Sequence, residues 1–281
     1  MGGEEDRLPD FERPPLVEVA LSVQFKPLRS LHTPHFGLMW MELRNRFPSV
    51  EEHSPLNPVI ETLGARGSSK ASIKLEMVGT PPVPRVWFVN ELGTELIQVQ
   101  QDRFIHNWKK ASDNEEYPCY PNVRKTFKDE LEIFRAFIKK EGLGELEPNQ
   151  CEVTYVNHIV SGVEWERFDQ IGNVFKYWNG LDEEPNIDEA EDIRVQSRHL
   201  IKDANGEFAG RLHISLEPAF RAVDNSPLFL LKLTARGRPI GKGVDGVTTF
   251  LDLGRKRIVN GFAAITTEKM HNAWGRKDAS K

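Results

Sequence analysis

The stretch Leu16–Phe25 reads LVEVALSVQF, and from Val17 onward its odd-numbered residues are all apolar. The even-numbered positions between them hold Glu18, Ala20, Ser22 and Gln24. Side chains of a β-strand point alternately to its two faces, so this pattern predicts a half-buried strand. The strand decides the fold class because a related stretch follows later in the chain.

The related stretch opens the second half of the chain. Residues 151–159, CEVTYVNHI, can be aligned with residues 17–25, which matches Glu152 with Glu18. In both places a helical pattern, a run of period-two segments and a final helix follow. The chain is therefore predicted to contain two similar halves.

The elements of each half follow from apolar spacing and from turn-forming residues. In the first half we predict a helix over residues 33–47, strands over 72–77, 85–90, 95–100 and 104–108, and a helix over 127–140. In the second half we predict a helix over 168–178, strands over 192–202, 211–217 and 228–236, and a long helix over 248–274. This last helix is expected to bend or to end its first part near Gly261 or Thr266, with Trp274 as its anchor.

Helices that segregate from a run of hairpin-linked strands are typical of the α+β class. Two such halves, each ordered strand, helix, antiparallel strands and helix, resemble the duplicated architecture of TATA-binding-protein-like or helix-grip domains. The predicted organisation is a flexible acidic leader over residues 1–13, a first half over 14–145, a second half over 146–276 and a tail over 277–281. Because the connection between the halves is short and lacks a Gly/Ser linker, we expect them to share one sheet.

The charge balance argues against a general affinity for anionic polymers and lipids. The 281 residues include 37 Lys and Arg against 42 Asp and Glu, a net charge of -5, although a local basic face is compatible with this average. The sequence contains neither a signal peptide nor an apolar run of about 20 residues, so we expect a cytoplasmic protein without a membrane partner. Cys119 and Cys151, the only cysteines, have no disulfide or zinc-site spacing, and we expect no metal and no cofactor.

Several strings along the chain together resemble an uncharacterised, sporadically distributed family of bacterial proteins of about this length. They are PPLVEVALSVQF from Pro14, QVQQDRFIHNWKK from Gln98, EVTYVNHI from Glu152 and FAAITTEKMHNAWGR from Phe262. That family has no established activity or catalytic residue, so the resemblance implies none for this chain. Its scattered distribution implies an accessory role in a mobile-element or defence context.

Amide and aromatic side chains concentrate in and after the predicted strands 95–100 and 104–108. Those that could form a surface for stacking on and hydrogen bonding to a base or a peptide are Gln98, Gln100, Arg103, Asn107, Trp108, Tyr117 and Tyr120. The same pattern fits an ordinary sheet, in which the glutamines face solvent, the tryptophan joins the core and the tyrosines occupy turns. Both interpretations stay open.

A second polar group comprises Arg211, His213 and Arg236. The first two share a face of one predicted strand and Arg236 ends the next, so a hairpin would gather them into an anion-attracting patch. Alternatively, they form a structural salt-bridge network with one or more of Glu217, Asp224 and Glu18. The sequence favours neither interpretation over the other.

His271 and Trp274, near the end of the chain, share a helical face that either docks into the sheet or is exposed to a partner. Elsewhere, His158, His213 and His271 could converge with Asp252 or Glu18, but their spacing matches no metal or acid–base motif. Neither cysteine lies in a nucleophile motif. The glycine-rich stretch 237–246 lacks the Ser or Thr that a phosphate-binding loop has after its Gly-Lys pair.

These patterns lead to three functional hypotheses. The first is a non-catalytic binding or accessory protein with a protein partner, in a bacterial defence or toxin-control system. The second is a nucleic-acid-binding module that uses a concave sheet, with Gln98, Gln100, Arg103 and Arg236 among its contacts. The third is a hydrolase, which would require histidines and carboxylates to converge in a pocket.

Overall fold

The computed structural model describes residues 8–63, 82–112, 115–178 and 190–277. The strands are β1 (Leu16–Phe25), β2 (Ser49–His53), β3 (Arg85–Val89), β4 (Glu95–Gln100), β5 (Arg103–Lys109), β6 (Pro148–Val160), β7 (Val195–Lys202), β8 (Phe208–Phe220) and β9 (Pro227–Gly237). The helices are α1 (Thr33–Leu43), α2 (Tyr120–Lys140), the 3-10 helix η1 (Phe168–Asn173), α3 (Gly243–Ile265) and α4 (Glu268–Ala273). Within the described ranges, every helix is too short or too polar to cross a lipid bilayer.

The nine strands form one antiparallel sheet in the order β2-β3-β4-β5-β1-β6-β9-β8-β7. Strands β1 and β6 pair at its centre, with Leu21 opposite Val153. Strands from the first half of the chain lie on one side of this pair, and strands from the second half lie on the other. The α+β class is therefore confirmed, and both halves contribute to one continuous sheet. The internal duplication and the domain bounds stay predictions.

The helices in the described ranges pack on one face of the sheet, where the apolar residues of the alternating strands meet them. On α2, Phe134 packs against Phe25 and Phe104, with ring centroids 5.8 and 5.4 Å apart. Helix α3 approaches β6 and β9 so closely at Gly254 that a Cβ there would lie 2.7 Å from Val153 Cγ1. The core thus lies between the helices and one face of the sheet.

The opposite face carries the even-numbered side chains of β1 and their neighbours across the sheet, and we call it the polar face. Its central residues are Ser22, Gln24, Gln98, Gln100, Arg103, Asn107, Gln150, Glu152, Thr154, Arg211, His213, Thr234 and Arg236. Because the pleat alternates, every core residue of a strand is followed by a residue on this face.

All four predicted helices have different bounds in the structure, and in the first half α1 ends at Leu43 rather than at residue 47. The predicted helix over 168–178 is reduced to η1, because Phe175 leaves the helical path to form a β-bridge with Thr266. The predicted helix over 248–274 begins earlier, at Gly243, and is divided into α3 and α4 at Thr266 and Thr267. Thr266 Oγ1 donates to the carbonyl of Phe262, and the side chain of Thr267 caps α4, so this break falls at one of the two places that the sequence predicted.

Other differences concern the first half. Helix α2 begins at Tyr120 rather than at residue 127, with Pro121 in its first turn, where a missing N–H is tolerated. Strand β2 was not predicted, because its sequence SVEEH lacks the apolar alternation of the inner strands. The predicted strand over 72–77 lies outside the described residues.

Candidate functional site

Most of the residues that the sequence singled out lie on the polar face. They come from four different strands and are Gln98, Gln100, Arg103, Asn107, Arg211, His213 and Arg236. Arg211 lies directly opposite Arg236, as the predicted hairpin requires. A polar relay connects several of them across the strands: Arg85 donates to Gln98 (2.8 Å), Gln98 donates to Asn107 (2.7 Å), and Asn107 donates to Glu18 (2.5 Å).

Trp108 does not belong to this surface. It follows Asn107 on the same strand and therefore points to the helix side, where it is buried and packs against Tyr117. The hydroxyl groups of Tyr117 and Tyr155 lie 3.1 Å apart, and Tyr120 donates to Asp252 at 2.8 Å. The glutamines and these aromatic residues therefore do not form one stacking surface, since the sheet itself separates them.

His271 and Trp274 are also buried on the helix side of the sheet. Trp274 packs against Phe262 and Phe11, with ring centroids 5.1 and 6.1 Å apart. His271 Nε2 lies 2.8 Å from Thr266 Oγ1. Of the two alternatives for this end of the chain, the structure shows docking rather than exposure to a partner.

An extended segment of the chain crosses the polar face. We call residues 55–62, PLNPVIET, the strap; it follows β2 and has no regular secondary structure. Pro55 and Pro58 fix their own φ at about −65° and disfavour the helical region for the residue before each of them, which favours an extended segment. From Leu56 to Thr62 an extended chain reaches about 20 Å, close to the roughly 24 Å of five strand spacings. Long side chains of the face cover the difference.

Side chains of the polar face bind the main chain of the strap. The amide of Gln100 pairs with both backbone groups of Leu56, accepting from its N–H and donating to its carbonyl at 2.9 Å each. The N–H of Val59 donates to Gln24, and the N–H of Glu61 donates to Gln150, at 3.0 Å each.

Arginines bind the carbonyl groups of the strap. Arg103 donates to the carbonyl of Asn57 at 3.0 Å, and Arg211 donates to that of Thr62 at 2.7 Å. Together with the glutamine contacts, these bonds follow the sheet order from β4 to β8. The recognition is directed at backbone groups, which every peptide segment carries.

The carboxylate of Glu61 is the charged anchor of the strap. One oxygen lies 2.6 Å from Arg211 Nη1, and the other lies 2.6 Å from His213 Nε2 and 3.6 Å from Arg236 Nη1. Burial favours the neutral carboxyl, but hydrogen bonds from His213 and Arg211 and the charges of His213 and Arg236 outweigh it and lower the pKa of Glu61 to about 2. We call Arg211, His213 and Arg236 the anion cluster.

The carboxylates that pair with the anion cluster differ from those that the sequence predicted. The sequence offered Glu217, Asp224 or Glu18, whereas the observed carboxylates are Glu61 of the strap and Glu152, which accepts from Arg236 Nε. Glu152 stands directly opposite Arg236 in the sheet. The cluster is thus part of an ion-pair network, with one of its carboxylates supplied by a loop.

The hydrogen-bonding capacity of the polar face is not fully used by the described residues. Gln150 is 3 % exposed, and its Nε2 is buried without a hydrogen-bond partner among them. Arg103 Nε is likewise buried without a hydrogen-bond partner among the described residues. Both residues line a small hollow under the strap next to Val59, which is about the size of one water molecule.

The three histidines considered for catalysis are not brought together. On β9, His158 lies opposite Leu230 and His213 lies opposite Thr234. These two positions are four residues apart, which separates the two histidines by about 13 Å along the strand. Asp252 is on the helix side, where it pairs with Arg124. In the described part of the chain, we find no group of three or more His, Cys, Asp or Glu side chains that could hold a metal ion.

The cysteines and the glycine-rich stretch have structural surroundings. Cys151 is buried, and burial raises the pKa of its thiol, which makes it a poor nucleophile. Cys119 is exposed just before α2 with a φ of 65°. Gly246 packs against the backbone of Gly241 at the start of α3, where a Cβ on Gly246 would meet Gly241 atoms at 2.6 Å.

The residues that sequence reasoning missed are Gln24, Gln150 and Glu61, together with the rest of the strap. Gln24 was placed correctly on the polar side of its strand but was not recognised as a binding group. The signal for the strap is its sequence PLNPVIET, in which two prolines and no alternation indicate an extended segment outside the sheet.

Comparisons with known proteins add no function: no protein-family profile, curated protein or solved structure matches this chain. What the chain does must therefore be argued from the geometry of the polar face.

Proposed function

We propose that this protein is a non-catalytic binding protein that holds an extended segment of a partner protein on its polar face. The observation that carries the proposal is the set of hydrogen bonds that backbone N–H groups of the strap donate to Gln24, Gln100 and Gln150. Side chains from successive strands bind one extended backbone that crosses them. The strap is thus a segment of the same chain that occupies the proposed binding site in the way a partner segment would.

The charges on the polar face favour a peptide over a nucleic acid. Arg236 is paired with Glu152, a residue of the sheet itself, so a phosphate backbone would meet a carboxylate beside this arginine. Asn107 and Gln98 are engaged with Glu18 and with each other. A nucleic-acid site would instead offer unpaired Lys and Arg to phosphates.

The biological setting of the proposal comes from the family resemblance. We place the protein in the bacterial cytoplasm, as an accessory component of a defence or toxin-control system. In that setting the bound segment would belong to another protein of the same system.

The proposal is tested with a full-length variant in which residues 55–62 are replaced by an eight-residue Gly/Ser segment. The probe is a fluorescein-labelled peptide of residues 54–63, SPLNPVIETL. We expect saturable binding by fluorescence anisotropy, with a Kd on the order of micromolar. Labelled single- and double-stranded DNA and RNA serve as alternative probes. Nucleic-acid binding that weakens steeply with salt, without peptide binding, would overturn the proposal in favour of the second hypothesis.

A further inference from the structure

We infer that the anion cluster is a specificity pocket for an acidic side chain of the bound partner segment, and that the strap occupies this pocket until the partner displaces it. The inference rests on the proposed function, which it deepens by naming the chemical class of the ligand. A ligand of this class is an extended peptide with a Glu or Asp at the position of Glu61.

The geometry of the cluster calls for a carboxylate. Arg211 is a planar guanidinium that binds one oxygen of Glu61 while it also donates to the carbonyl of Thr62. His213 binds the other oxygen. The side chains of Arg211 and Glu61 are only 10 % and 8 % exposed, so a neutral side chain at the position of Glu61 would leave a buried guanidinium charge unpaired. Another carboxylate can take its place at little cost.

The strap is held by polar contacts rather than by a hydrophobic anchor. Leu56, Val59 and Ile60 are 36 %, 40 % and 50 % exposed. A segment that buried these groups in a core would resist displacement, because each buried aliphatic side chain contributes about 1.5 to 3 kcal/mol. Since the strap buries them incompletely, a peptide that offers the same backbone and carboxylate contacts can compete with it.

The strap also has a competitive advantage, because it is part of the same chain. A tethered segment binds at an effective concentration on the order of millimolar. The intact protein should therefore bind an outside peptide at least tenfold more weakly than the protein whose strap has been replaced. Equal binding to the two proteins would show that the strap does not occupy the site.

The experiment uses the Gly/Ser strap variant and two labelled peptides, SPLNPVIETL and the same sequence with Gln at the Glu61 position. We expect the Glu peptide to bind at least tenfold more tightly than the Gln peptide. Arg236→Gln should reduce this preference, whereas Lys232→Gln should leave it unchanged. Lys232 is exposed on the same strand, so it controls for the loss of one positive charge.

The results separate the two proposals. Equal binding of the Glu and Gln peptides overturns the acidic pocket and leaves peptide binding intact. Failure of both peptides to bind overturns the proposed function itself. Binding to the intact chain as tight as to the strap variant overturns the strap as an occupant.

A measurement on the unmodified chain covers the case in which the strap variant does not fold. The N–H groups of Leu56, Val59 and Glu61 are hydrogen-bonded to side chains of the face. An excess of SPLNPVIETL should displace the strap and accelerate hydrogen exchange at these amides, and the Gln peptide should do so at least tenfold less effectively. Unchanged exchange at saturating Glu peptide would overturn the inference.

Discussion

At the scale of single residues, Glu61 makes the free energy of unfolding depend on pH in the acidic range. Its folded pKa of about 2 lies below its ordinary value of 4.5. Its contribution is therefore fully present above about pH 4.5 and is lost as the pH falls towards 2. We expect Glu61→Gln to lower the free energy of unfolding by roughly 1 to 3 kcal/mol near pH 6, a figure reduced for solvent screening.

This prediction is checked by urea denaturation of both proteins at pH 6, 4 and 3. The difference between wild type and Glu61→Gln should shrink steadily as the pH falls. Glu52→Gln on β2 is the matched control, since Glu52 is exposed, and it should show no such trend. A pH-independent difference for Glu61→Gln would contradict the assigned ion pairs.

The sequence allowed the faces of most site residues to be predicted, but not their partners. The face on which a strand residue lies follows from the alternation of its neighbours in the sequence, and this alternation correctly places Gln98, Gln100 and Arg211 on one side of the sheet. The contact between Glu61 and Arg211 joins residues 150 positions apart and depends on the path of an irregular loop. For Trp108 the sequence left the binding surface and the core open, and its position next to Asn107 on an alternating strand places it in the core.

At the scale of elements, the packing of α3 on the sheet depends on Gly254. A Cβ there would lie 2.7 Å from Val153 Cγ1 and 3.0 Å from Ala235 Cβ. Gly254→Ala should therefore lift α3 from the sheet and destabilise the protein by about 1 to 3 kcal/mol, although alanine favours helices.

Gly37→Ala on α1 is the control for this change. Nothing lies within 4 Å of a Cβ at Gly37, so the same substitution should stabilise the protein by up to about 1 kcal/mol through helix propensity. Thermal and chemical denaturation of both variants measure the two effects. Opposite signs are expected, and stabilisation by both would show that α3 tolerates a larger separation from β6.

Elements with one buried face were the easier ones to predict. Strand β1 and helix α2 each place a row of apolar side chains in the core, and that row is visible in the sequence as a period. Strand β2 and the strap have no such row, since β2 is a largely exposed edge strand and the strap is held by backbone contacts. The end of η1 depends on a bridge to Thr266, which is remote in sequence.

At the scale of the whole molecule, the pairing of β1 with β6 makes the two halves dependent on each other. We expect fragments 8–145 and 146–277, produced separately, to fail to form stable monomers, because each would expose a long central strand as an edge. Mixed or co-expressed, they should form a one-to-one complex with native circular dichroism. Analytical ultracentrifugation measures the association of the fragments. Two fragments that each fold as monomers and do not associate would contradict the prediction.

The central position of β1 also has a consequence for the order in which the chain can fold during synthesis. Its neighbours are β5 and β6, which begin at Arg103 and Pro148, so β1 leaves the ribosome long before either partner exists. At a translation rate of roughly 5 to 20 residues per second, it waits about 5 to 20 s for β5 and longer for β6. During that time the unpaired backbone groups and exposed apolar side chains of β1 can pair with wrong strands. β1 is therefore the segment for which a nascent-chain chaperone would matter most.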